Sequence, residues 1–113
     1  MMEFPSPLDF LSILGVEPIE TVPTDGYWLY QLTVYDVTCT LSFNIIEHWI
    51  QVELFSHDSK YLSFYQEGAI YLRIHAETSK TYISSKFLLG NSYSNVIIDI
   101  APKIFITINT IRR

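Results

Sequence analysis

The sequence predicts an α+β fold: one short N-terminal helix followed by a curled, mainly antiparallel sheet of seven or eight strands. Three observations point there. A capped helical segment stands alone near the start of the chain. From Tyr27 onward apolar and polar residues alternate with period two, and β-branched and aromatic residues are enriched. The connections between these runs are two to six residues long, which favours antiparallel neighbours over parallel crossovers. At 113 residues the chain is expected to form a single domain, 1–113, since chains divide only well above this length.

The helix is read from Pro7 to Leu14. Ser6 occupies the N-cap position, Pro7 the first helical position and Asp9 the place from which a carboxylate reaches back to the cap. Phe10, Leu11, Ile13 and Leu14 supply the apolar residues, and Gly15 the stop. Eight residues are too few for an isolated helix, so the segment must dock on the sheet, over one side or one open end. Val16 to Gly26, with Pro18 and Pro23, reads as a connecting loop.

Strands follow at Tyr27–Tyr35, Thr38–Phe43 and His48–Phe55. In the second of these, Cys39, Leu41 and Phe43 share one face and Thr38, Thr40 and Ser42 the other. Lys60–Tyr65 and Ala69–Glu77 flank Gln66-Glu67-Gly68, which predicts a hairpin with glycine at a positive φ. Lys80–Leu89, Asn95–Ala101 and Lys103–Ile111 complete the set, with Pro102 as the last break. Asp99 is expected to face solvent while Ile98 and Ile100 point inward.

The net charge of −5 is unevenly placed along the chain. Residues 1–59 hold nine carboxylates and no Lys or Arg, whereas residues 60–113 hold seven basic residues against Glu67, Glu77 and Asp99. The asymmetry could build an acidic pole that favours a basic partner and repels nucleic acid. Alternatively the two halves interleave and the asymmetry averages out, as it would if strands from both halves share a sheet.

Catalytic constellations are weak. His57, Asp58 and Ser59 have the residue types of a hydrolytic triad, but neighbours along a strand face opposite ways. No glycine stands within eight residues to build a nucleophile elbow. The alternation that ends at Phe55 and resumes at Leu62 places the three in a turn. His48, His57 and His75 lack the spacings of a metal site, and no glycine-rich phosphate loop occurs. No enzyme, cofactor, nucleic-acid or membrane function is therefore expected. The N-terminus does not read as a secretory signal, and the lone Cys39 fits a reduced, cytoplasmic protein.

Tyrosine is the unusual feature, with eight in the chain. Alternation across the predicted hairpin and the strand after it sends Tyr61, Tyr65, Tyr71, Arg73, His75, Tyr82 and Lys86 outward together. Leu62, Phe64, Ile70, Leu72, Ile74 and Ala76 are expected inward, joined by Ile83, Ser85 and Phe87. Tyrosine and arginine on one solvent face match the residue choice of a protein interface.

The opening "SPLDFLSILGVEP", followed by alternating strands from "GYWLYQLTVY" onward, resembles the layout of immunity proteins from bacterial polymorphic toxin systems. The resemblance covers the whole chain and transfers no residue role. It implies a non-enzymatic module that binds and neutralises a cognate toxin, a basic one if the acidic half forms a surface. The alternative is a small curled β-barrel holding an apolar ligand among Trp28, Tyr30, Phe43, Phe64 and Phe87. The exposed tyrosines could also meet a second copy of the chain.

Overall fold

The structure, a computed structural model, describes residues 2–112. Ser6 caps the N-terminal helix as its sequence requires: its hydroxyl accepts from Asp9 N at 3.2 Å, and its own N–H donates to the Asp9 carboxylate at 3.0 Å. The helix has one α-helical turn, α1 (Pro7–Asp9), that loosens into a π-helical turn (Phe10–Leu14) closed by Gly15 at φ +71°. The expected limits hold and the winding does not. Phe10 is the one fully buried side chain of this segment.

Among the described residues nine strands follow, in two sheets. The first contains β1 (Glu20–Val22), β2 (Tyr27–Val34), β3 (Val37–Asn44), β4 (Trp49–Ser56) and β5 (Ser59–Glu67), in sequential order. The second contains β6 (Ala69–Ala76), β7 (Thr81–Leu89), β8 (Ser92–Ala101) and β9 (Phe105–Arg112). All pairings between strands are antiparallel, as expected. The single curled sheet of seven or eight strands is corrected to two meanders of five and four. β1 lies inside the stretch expected to be loop; its three residues are all exposed and carry no burial signal.

The other large correction concerns the hairpin expected between Lys60 and Glu77. β5 and β6 do not pair, because the chain changes sheet at Gly68. Its carbonyl accepts from Leu88 N at 2.9 Å, while Ala69 N donates to His48 O at 3.0 Å. Alternation reports which way side chains point and carries no information on which strand is the neighbour. A register shift between Ala69 and Tyr71 also reverses the expected start of β6, so Ala69 is buried and Ile70 is exposed. Leu72, Ile83, Ser85 and Phe87 point inward as expected, and Ala76 is exposed.

Both sheets contribute to one core. Leu41, Phe43, Ile50 and Val52 come from the first; Leu72, Ile83, Phe87, Val96 and Ile98 come from the second. Ile98 and Ile100 are buried on either side of a half-buried Asp99, as alternation required. The rings proposed to line a ligand cavity fill this core instead. Tyr30, Phe43 and Phe87 are fully buried, and Phe64 meets Phe87 edge-on with centroids 5.9 Å apart. Phe10 lies flat on Tyr30 at 3.7 Å and near Phe43 at 6.2 Å, which fixes the N-terminal segment to the first sheet. Cys39 is buried in the same core, and its thiol pKa is pushed up to about 12 by loss of water.

Candidate functional site

The turn reading holds for His57 and Asp58, whereas Ser59 is corrected to the first residue of β5, paired with Ser56. His57 and Asp58 form the two-residue connection of β4 to β5 at φ 51° and 64°, the left-handed conformation of a tight hairpin turn. The carboxylate nearest His57 is Asp36 of the neighbouring hairpin tip, at 3.5 Å, and both side chains are exposed. Among the described residues no group of three His, Cys, Asp or Glu could hold a metal ion. No helix there is long and apolar enough to cross a membrane.

Because the sheets divide the chain at Gly68, the charge asymmetry of the sequence becomes an asymmetry in space. Residues 20–67, which build the first sheet, hold seven carboxylates and one lysine, a net of −6. Residues 69–112, which build the second, hold five basic residues against Glu77 and Asp99, a net of +3. Most of β5 belongs to the second half of the sequence and pairs with β4, so strands of both halves do share the first sheet, as expected, yet the two sheets keep opposite net charges.

The seven outward residues are divided in the same way. Tyr61 and Tyr65 lie on the first sheet; Tyr71, Arg73, His75, Tyr82 and Lys86 lie on the second. The latter five are neighbours, since the register sets Tyr71 beside Lys86, Arg73 beside Ser84 and His75 beside Tyr82. Their cations are already engaged within the chain. The Arg73 guanidinium lies 3.8 Å above the Tyr71 ring, Lys80 sits over Tyr82 at 4.9 Å and Lys86 over Tyr93 at 4.4 Å. His75 stacks on Tyr82 at 4.5 Å, with its Nε2 2.7 Å from the Ser84 hydroxyl.

Arg73 has a further role in the fold. It donates from Nε and Nη2 to the two Glu3 oxygens at 2.6 and 3.0 Å, while Glu3 N and O bond Ile70 O and Leu72 N. The N-terminus thereby covers part of the β6 edge. The hydrogen bond from Arg73 holds the Glu3 carboxyl below its ordinary range. A lowered folded-state pKa stabilises above the unfolded value and stops doing so as pH falls through the folded one. Glu3→Gln is therefore expected to lower the melting temperature slightly at pH 7 and to come closer to wild type at pH 3. A constant difference at both pH values would show that the ion pair is not the cause.

On the first sheet an aromatic cluster is bounded by carboxylates. Register places Tyr27, Asn44, Trp49 and Glu67 in one row across β2 to β5, with Leu29, Ser42, Gln51 and Tyr65 in the next. Asn44 is short and buried, held by Asp25 O, Ile46 N and Glu47 N, so the rings on either side meet over it. Tyr27 lies 6.0 Å from Trp49, and Trp49 lies 5.6 Å from Tyr65. The indole donates to Glu47 at 3.2 Å and the Tyr65 hydroxyl to Glu67 at 3.1 Å. Loss of water raises the pKa of both tyrosines first, with Glu20 adding to Tyr27 and Glu67 and Glu47 adding to Tyr65.

Sequence reading found Tyr65 and missed Tyr27 and Trp49. All three fall on outward positions, but only the order of β2 to β5 brings them into one cluster.

No family model matches this sequence, and no curated protein does. Among solved structures, a chain of a contact-dependent growth inhibition toxin–immunity protein complex from Klebsiella pneumoniae 342 superposes with a TM-score of 0.88. The two are 22% identical, and the match covers 97% of each chain. The layout noted in the sequence is thus a fold found in a toxin–immunity protein complex.

Proposed function

We propose that this chain is a cytoplasmic, non-enzymatic protein that binds and neutralises a basic toxin domain. The observation that carries the proposal is the separation of charge by sheet, which gives the β1–β5 half a net of −6. A surface of one sign steers and selects a partner of the other. The likeness to a chain of a toxin–immunity protein complex supports the same reading. Of the seven outward residues, Tyr61 and Tyr65 are the ones proposed to meet the toxin. Tyr71, Arg73, His75, Tyr82 and Lys86 face the other way, on a sheet of positive net charge.

Co-expression tests the proposal. The reading frame directly upstream of this one, expressed alone, is expected to arrest growth. Adding this chain should restore growth, and the two products should co-purify with an affinity that falls as salt rises. Growth arrest that this chain does not relieve would retire the reading.

A further inference from the structure

We infer that the Tyr27–Trp49–Tyr65 cluster on the outer face of β1–β5 is the docking point for an arginine or lysine side chain on a basic segment of a protein partner. The inference deepens the toxin-binding proposal and rests on it for the nature of the partner. The chemistry rests on the contrast between the two sheets. On β6 to β8 the rings of Tyr71, Tyr82 and Tyr93 each have a cation of this chain above them. On β2 to β5 the three rings are edged by Glu20, Glu47 and Glu67, and among the described residues no Lys or Arg forms an ion pair with any of those carboxylates. The one lysine of this sheet, Lys60, is committed to Glu53 at 2.7 Å.

An aromatic face attracts a cation through its quadrupole, and a carboxylate beside it adds charge and a hydrogen-bond acceptor. A guanidinium suits this site better than an ammonium ion. Its plane can lie on the indole while its edge N–H groups reach Glu47 and Glu67. The carboxylates are also held in place before a partner arrives, since Glu47 is fixed by Trp49 and Glu67 by Tyr65. Tryptophan and tyrosine are the residues that most often dominate binding energy at interfaces.

The test uses the full chain and two synthetic probes, hexa-arginine and hexa-glutamate, followed by the indole N–H resonances of the 15N-labelled protein. Hexa-arginine is expected to move the Trp49 indole signal in a saturable way and to leave that of Trp28 unmoved, while hexa-glutamate moves neither. Trp49→Leu keeps the charge and should weaken hexa-arginine binding about fivefold, read by calorimetry. Glu47→Gln with Glu67→Gln keeps the rings and should weaken it about tenfold. Tyr71→Ala and Tyr82→Ala should have no effect. Binding that ignores both first-sheet variants, or that vanishes with the second-sheet ones, overturns the inference. Growth rescue that survives Trp49→Leu and the double Gln variant overturns it also, while leaving the toxin-binding proposal standing.

Discussion

Phe10→Ala is expected to lower unfolding free energy by about 3 to 5 kcal/mol, the range for truncating a buried phenylalanine. Phe10 is fully buried, stacked on Tyr30 at 3.7 Å, and close to Phe43. It is also the only fully buried side chain that the helical segment contributes, so no neighbour in that segment can take over its contacts. For a domain of this size the loss corresponds to a fall in melting temperature of roughly 12 to 20 °C. That is a large share of the roughly 5 to 15 kcal/mol that holds most domains folded. Tyr30→Phe is the control, since it keeps the stacked ring and removes a buried hydroxyl that makes no hydrogen bond among the described residues. It should be neutral or mildly stabilising, because nothing is left unpaired by the change. A loss below about 1 kcal/mol for Phe10→Ala would mean that the N-terminal segment contributes little to the folded state.

Gly68→Ala is expected to cost about 2 to 4 kcal/mol, through two separate effects. The residue sits at φ +83°, where a side chain is strained, and a Cβ there would stand 2.6 Å from the Leu88 carbonyl oxygen. That oxygen belongs to the backbone of β7, so relief requires the two sheets to shift at their crossover. Gly90 separates the two effects. It has φ +60°, yet a Cβ there meets nothing within 4 Å, so Gly90→Ala should show backbone strain alone, about 1 to 2 kcal/mol. Chemical denaturation of both variants measures the difference. Equal losses would show that the close approach at Gly68 is not a constraint on the fold.

The sequence by itself determined the elements that depend on local chemistry. Ser6, Pro7, Asp9 and Gly15 place the ends of the helical segment, because capping is decided within a few residues. Period-two alternation locates every strand except β1, and it sets Asp99 outward between two buried isoleucines. The His57-Asp58 turn follows from the same failure of alternation. Pairing between strands was decided only by the tertiary structure. A connection through Gln66-Glu67-Gly68 suits a hairpin as well as a change of sheet, and the packing of Gly68 against Leu88 selects the second. That one choice separates Tyr65 from Tyr71 and sends them to different faces. It also gathers Tyr27, Trp49 and Tyr65, which lie 22 and 16 residues apart in sequence, into one cluster edged by carboxylates. The charges of the two halves are legible in the sequence, but whether they cancel depends on which strands share a sheet. Hydrogen bonds between strands fix that, and they leave no periodic trace in the order of residues.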